Sequence, residues 1–500
     1  MFRLRRRVYC DNNATTMVTA SVRRRMNQVL KRCFGNPSSL YRAARDAAEA
    51  LEDSRRAVAS AVNVDPSEII FTGSATEANN TILVSVAEHF YPEKKTIIAS
   101  PIEHASVNGT LDYLQGRGFT IKYLPVDRMG QVDPDELERL LDDDTFLVCC
   151  MLANNETGVV LDVKRLAAAA HRRVALMMSD CVQALGKIPV DLRDLEVDYA
   201  SFSAHKIHGP KGVGALYVRD GCPIAPYIHG GHQESGLRAG TEGVHNIAGF
   251  AAACSALPDN LIRMEHTAGL KRLFIEGLRA IKPDIVVNTP PDALPNTASV
   301  TFPGVNNAIL MGMLDYYGIA VSAGSACNTG EDKPSHVLTA LGLNADQARS
   351  TIRFSLSGET VRRDIRYLLA VLDDHFTGRT PPVSAVAPTQ LDEGILLDER
   401  TFIVDVRHWY DRKLLKGLPN AVEFPLFTFR RHMGRIPRDR NILVVCQTGY
   451  DAPVVAYWLR SRGCRNVGFL MAGMFGWKLA RPDLYQRLAG TNIRRIGDIP

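Results

Sequence analysis

Between about residues 60 and 260, short runs that are apolar throughout recur with amphipathic stretches between them. The runs are EIIFTG (68–73), TIIAS (96–100), FLVCCMLA (146–153), ALMMSD (175–180), YASFSAH (199–205) and GALYV (214–218). EANNTILVSVAEHF (77–90) and DVKRLAAAAHRR (162–173) are two of the helical patterns that separate them. A strand without a polar face must be covered on both sides, and parallel neighbours need a crossover long enough to hold a helix. The pattern predicts a large α/β domain over about 15–260, built on a mostly parallel sheet between helical layers. The stretch 261–376 reads differently, with a long helix near 259–281, the strands IVVN and TASVTFPG, and a last helix at 360–375. Together with the N-terminus it suits a smaller α+β domain, so that 1–376 form one two-part unit. TGRTPPVSAVAPTQ (377–390) is rich in Pro, Thr and Ala and reads as a linker. FIVDVR (402–407), NILVVC (441–446) and NVGFLMAG (466–473) then predict a third, compact α/β unit over 391–495.

Composition agrees and narrows the function classes. The chain of 500 residues is 46% apolar and 23% charged, ordinary globular values that exclude a mainly disordered or coiled-coil protein. The longest apolar stretches, such as IAGFAAACSAL (247–257), fall short of the roughly 20 residues of a membrane span. Four arginines fall in the first seven residues with no apolar segment after them, so no secretory signal is expected and a cytoplasmic location is. Ten scattered cysteines without a CxxC pair suit reduced thiols. From 378 onwards 19 Lys and Arg face 11 Asp and Glu, against a net charge of +5 for the whole chain. The C-terminal unit is therefore the basic one. That favours an anionic partner surface, without the density of charge that direct nucleic-acid binding would need.

SFSAHKIHGPKG (201–212) ends a strand in Ser203, His205 and Lys206 and then turns at Gly209-Pro210. A lysine at a strand end in a buried site can form an imine with an aldehyde cofactor. TGSATEANN (72–80) puts a turn of small residues between a strand and a helix, whose first amides and Thr76 hydroxyl could hold a phosphate. SDCVQALGK (179–187) puts Asp180 at a strand's C-terminal end, where a carboxylate could keep a pyridine nitrogen protonated.

These stretches, with DNNATT (11–16), FGNPSS (34–39), EHASV (103–107), NNETG (154–158), RAGTE (238–242), SAGSAC (322–327) and RFSL (353–356), resemble the fold-type I pyridoxal phosphate enzymes. Within them they resemble the NifS/IscS-type cysteine desulfurases, from Val8 to about His375. The resemblance implies pyridoxal 5′-phosphate as cofactor, L-cysteine as substrate and a homodimer. It implies Lys206 as the lysine that carries the cofactor, Asp180 as partner of the ring nitrogen, His104 stacked on the ring and Gln183 on the ring hydroxyl. Ala75, Thr76, Ser203 and His205 match the phosphate cradle, and Thr241 a phosphate contact given to the other protomer. Asn155 matches a group beside cofactor and substrate, and Asn13 and Arg353 match groups around the substrate carboxylate. His232 and Ser235 stand where relatives usually carry Gly and Arg, which leaves the details of that interface loop open.

VSAGSACNTGEDKPSHVLTALGL (321–343) resembles the long catalytic loop of the same subgroup, with Cys327 as the residue that takes sulfur from the substrate. ILVVCQTGYDAPVVAYWLRSRGCRNVGFLMAGMFGW (442–477) sets Cys446 between a strand and a helix, where loop amides could cradle an anion. With FIVDVRHWYD and LPNAVEFPL (418–426) it resembles a single rhodanese domain, and Cys446 matches the persulfide cysteine. Asp451 stands where many active rhodaneses carry Arg, and a carboxylate there would raise the thiol pKa. The sequence reading is a desulfurase with a fused sulfur carrier: sulfur passes from L-cysteine to Cys327, to Cys446 and to a protein acceptor. Iron–sulfur assembly, tRNA thiolation and cofactor sulfuration remain open as destinations. The rivals are a C-terminal unit that only docks partners, and a selenocysteine lyase or aminotransferase in the N-terminal part. No metal ligand set is expected.

Overall fold

The computed structural model describes residues 7–324, 334–380 and 382–498. The N-terminal strand β1 (Val8–Tyr9) belongs to the small domain. The large domain holds β2 (Ile69–Thr72), β3 (Thr96–Ala99), β4 (Thr120–Tyr123), β5 (Thr145–Cys149), β6 (Leu176–Asp180), β7 (Tyr199–Ser203) and β8 (Gly214–Val218). They form one seven-stranded sheet in the order β2-β8-β7-β6-β5-β3-β4. Only β8 runs antiparallel to its neighbours. Successive residues of a strand point to opposite faces, and here both faces are core. Ile98, Val148, Met177 and Phe202 enter one apolar cluster, while Ile97, Leu147, Met178 and Tyr199 enter the other. That two-sided burial is why the runs carry no alternation.

The small domain has β9 (Val286–Val287), β10 (Thr297–Thr301) and β12 (Thr351–Ser355) in an antiparallel sheet. β11 (Ile319–Ala320) pairs in parallel with β1, which ties the N-terminus to this domain.

The third unit is an all-parallel six-stranded sheet of β13 (Ser384–Val386), β14 (Thr401–Asp405), β15 (Val422–Glu423), β16 (Asn441–Val445), β17 (Asn466–Leu470) and β18 (Arg494–Arg495). The order is β13-β17-β16-β14-β15-β18. The expected linker over 377–390 is corrected here. Ser384–Val386 pairs with Gly468–Leu470 as an edge strand, and Pro388–Gln390 forms a single helical turn. The Pro- and Ala-rich composition reflects an edge strand and a turn, where a missing N–H is tolerated.

Four helices matter below: α1 (Ala75–Phe90), α2 (Ala105–Gln115), α3 (Asn307–Tyr316) and α4 (Asp451–Arg460). α3 of the small domain lies directly on α4 of the third unit. A Cβ on Gly312 would sit 2.2 Å from the Pro453 Cβ, and the Tyr316 and Tyr457 rings stack with centroids 6.1 Å apart. Leu310, Met313 and Phe354 share one continuous apolar cluster with Val455, Val444 and Phe469. The third unit is thus packed onto the small domain and not merely tethered to it. Among the described residues no helix is long and apolar enough to cross a membrane.

Candidate functional site

The carboxyl ends of β6 and β7 open into a cavity of about 300 Å³. This is the end of an open α/β sheet where ligands bind. Lys206, Asp180, Gln183, His104, Ser203 and His205 line it together with Ala75, Thr76, Asn13, Asn155 and Arg353. Eleven of the expected residues therefore meet in one place.

Lys206 sits in a helical turn (Ala204–Lys206) just past β7, and its Nζ donates to the carbonyls of Asn13 (2.6 Å) and Ala14 (2.9 Å). Asp180 ends β6, nearly buried. Its Oδ1 accepts the Val182 N–H (2.9 Å) and its Oδ2 the Asn79 side-chain amide (3.0 Å). Ser74 caps α1 through its hydroxyl, so the first-turn amides at Ala75 and Thr76 lie at the cavity wall. A helix start of this kind receives anions, because the first N–H groups have no partner within the helix.

His104 caps α2, with Nδ1 accepting the Ser106 N–H at 3.1 Å. Burial, and secondarily the Lys206 ammonium, pushes its pKa down against the pull of Asp180, which keeps the ring neutral. Burial and then Lys206 push His205 down to about 4.

Gln183 lies in a chain of turns after β6. Its Nε2 donates to the Asn13 carbonyl at 3.0 Å. The Asn13 side chain is occupied: Nδ2 donates to the Asn155 carbonyl and to Thr297 Oγ1, and Oδ1 accepts from Asn296. What Asn13 offers the cavity is its backbone oxygen. Arg353, 2% exposed, donates to the Asn155 and Gly324 carbonyls at 3.0 Å each and to Asp11 Oδ1 at 2.7 Å. Its Nε is buried with no partner among the described residues.

Two of the expected residues lie off this cavity. Thr241 is exposed and off the cavity. Cys327 lies outside the described residues. Cys446, 1% exposed, follows β16 in the third unit. Its Sγ accepts the Gly449 N–H at 3.1 Å, and Gly449 and Gly473, both at positive φ, let the loop close against Ala472 and the Cys446 carbonyl. Burial pushes the Cys446 thiol pKa up, with Asp451 adding to it, and the loop amides at Ala452, Asp451 and Gly449 oppose the rise without cancelling it. The expected cradle exists, but burial outweighs it. At the departures noted above, His232 is exposed and Ser235 sits at positive φ beside Glu234, whose buried carboxylate pairs with both Nη atoms of Arg55 at 2.7 Å. The nine described cysteines are all free.

Sequence reasoning missed several groups. Asn79 bridges Asp180 and Ser106, and its Oδ1 is buried without a partner. Buried Glu103 accepts from Ser100 and from the Met151 N–H, and burial raises its pKa to about 8 despite those bonds. Lys187 is buried beside Gln183. Asn79 and Glu103 fall inside quoted motifs, but nothing local marks them as pointing inward.

The cavity fits a flat, phosphorylated, basic heterocycle with an aldehyde. It offers a lysine for the aldehyde, a buried carboxylate for a ring N–H, a helix start for the phosphate and a neutral imidazole at the wall. The buried, unpartnered Arg353 Nε is a donor left for a further acceptor.

Comparison with known proteins agrees. The family Aminotransferase class-V matches residues 8–368, and the family Rhodanese-like domain matches 387–480. Cysteine desulfurase IscS of Dictyoglomus turgidum is 41% identical over 372 residues, covering 74% of this chain and 94% of the relative. Cysteine desulfurase NifS of Azotobacter vinelandii is 38% identical over 384 residues, covering 76% and 92%. Among solved structures, a NifS-like protein is 42% identical with a TM-score of 0.71, covering 75% of this chain and 100% of that one. A NifS-like protein from Rickettsia africae is 32% identical with a TM-score of 0.67 and covers the same shares.

Proposed function

The chain belongs to the class-V aminotransferases and carries a rhodanese-like domain, and from that premise we propose that it is a cysteine desulfurase whose C-terminal unit receives the sulfur. The observation that carries the reading is the convergence of Lys206, Asp180 and the start of α1 in one cavity.

The family is pyridoxal phosphate-dependent, and the bound cofactor supplies an electron sink for the substrate's α-carbon. The chain's own residues do the rest. Lys206, held by the Asn13 and Ala14 carbonyls, would carry the cofactor through its aldehyde and would serve as the base that moves the substrate's α-proton. Asp180, held by Asn79 and the Val182 amide, keeps a proton on the ring nitrogen. His104, neutral and capped onto α2, presents its ring to the cofactor. Arg353 would meet the substrate carboxylate through its Nε, the donor left without a partner among the described residues. Cys327 would attack the substrate sulfur as thiolate; the S–S bond forms as the C–S bond breaks, the C–S electron pair goes to the β-carbon, which takes up a proton, and alanine departs while the persulfide stays on Cys327. Thr241 would serve the partner protomer's phosphate site in a homodimer.

The persulfide sulfur then passes to the Cys446 thiolate and on to a protein acceptor, for iron–sulfur assembly, tRNA thiolation or cofactor sulfuration. Packing of α4 on α3 favours transfer inside one assembly, since it fixes where Cys446 stands. A second reading, in which the C-terminal unit only docks the acceptor, draws support from the buried thiol and the Asp451 carboxylate beside it. Peptide mass spectrometry after L-cysteine turnover without reductant separates the two. Persulfide at both cysteines, lost from Cys446 in Cys327→Ala, is the expected result. Persulfide at Cys327 alone refutes the relay, and no alanine from L-cysteine refutes the desulfurase.

A further inference from the structure

Lys187 takes no part in the chemistry above, yet it is buried (6% exposed) beside the site, and the partner found for its ammonium among the described residues is the uncharged Gln183 side chain. Its ammonium donates to Gln183 Oε1. Burying an unpaired cation is costly, so the position calls for a reason. A lysine ammonium has only donors, and an amide has one end of each kind. Lys187 therefore decides which end of the Gln183 amide turns away from the cavity. With Oε1 held by Lys187, Nε2 is the atom that faces inward, with one N–H spent on the Asn13 carbonyl (3.0 Å) and one left. The same Asn13 carbonyl accepts from Lys206 Nζ at 2.6 Å.

We propose that Lys187 is a positioning residue that locks Gln183 as a hydrogen-bond donor toward the cofactor's ring oxygen, and so weakens the hold of the cofactor-linked Lys206 nitrogen on its proton. The inference rests on the cofactor reading above. A donor on the ring oxygen stabilises its negative charge most when the neighbouring nitrogen has lost its proton. A positive charge behind Gln183 acts in the same direction. Burial, then Lys206 and Arg353, push the Lys187 pKa well down.

The test is a pH titration of the visible absorbance of the lysine-bound cofactor in the full-length holoprotein. In Lys187→Met the midpoint should rise by about one pH unit, ten-fold in proton affinity. Gln183→Met should rise similarly, and adding Lys187→Met to it should change nothing further, because both act through one amide. Lys187→Arg keeps a donor and a charge and should titrate near the wild type; it carries the test if Lys187→Met fails to take up cofactor. An unchanged midpoint in Lys187→Met, additive shifts in the double variant, or a raised midpoint in Lys187→Arg overturns the proposal. A wild-type protein with no lysine-bound absorbance overturns the cofactor reading instead.

Discussion

Gly312 is where the two halves of the molecule can be wedged apart. A methyl group there would stand 2.2 Å from the Pro453 Cβ, against the roughly 3.5–4.0 Å at which carbon atoms pack best. To admit Gly312→Ala, α4 must retreat by more than 1 Å or the helices must separate. Overpacking of this kind costs about 1–3 kcal/mol, and undocking caps the cost at the free energy of docking. The measurement has a built-in separation of signals. All three tryptophans, Trp409, Trp458 and Trp477, lie in the C-terminal unit, while cofactor absorbance reports the large domain. In the wild type the two urea transitions should coincide, because one apolar cluster runs through both units. In Gly312→Ala the tryptophan transition should move down alone. About 2 kcal/mol over a slope of about 2 kcal/mol per molar is a shift of about 1 M urea. Coincident transitions in Gly312→Ala at the wild-type midpoint would refute the helix-on-helix packing.

Other expectations follow from the site. Asp451→Asn removes a carboxylate that raises the Cys446 thiol pKa, so Cys446 should alkylate faster near neutral pH, by peptide mass spectrometry; an equal rate would mean that burial alone controls it. Lys206→Ala should abolish alanine formation and the lysine-bound absorbance, and residual turnover above about one part in a thousand would exclude Lys206 from the chemistry. His205 is held to about 4 when folded, against 6.5 ordinarily. Between those values the unfolded chain binds a proton that the folded chain refuses, so the contribution to stability is full above pH 6.5 and lost as pH falls toward 4. His205→Gln should flatten that part of the melting-temperature profile of the cofactor-free protein, and parallel profiles would refute the assignment.

Much of this was legible in the chain. The six apolar runs fall on β2, β3, β5, β6, β7 and β8 because two-sided burial leaves a signal that needs no partner to be read. β4 escaped because its residues are only half-buried at the sheet's edge and so are not uniformly apolar. The motifs carried eleven residues into one cavity; Asp180 and Ser203 end strands, His104, Ala75 and Thr76 stand at helix starts, and the local pattern marks such places. Lys187 and Asn79 were passed over because their direction depends on how separate turns stack. The docking of α3 on α4 left no local trace, as Gly312 and Pro453 become meaningful only against each other.

That contact also bears on how such a chain could be built or rebuilt. α3 seats the helix that follows Cys446, and after two intervening residues comes β11, the last strand before Gly324 and the segment that carries Cys327. One ten-residue helix is therefore shaped by two domains at once. A rhodanese-like unit moved onto another desulfurase would arrive without its seat unless residues 306–316 travelled with it. The fusion is inherited as a joint, and the joint has parts on both sides.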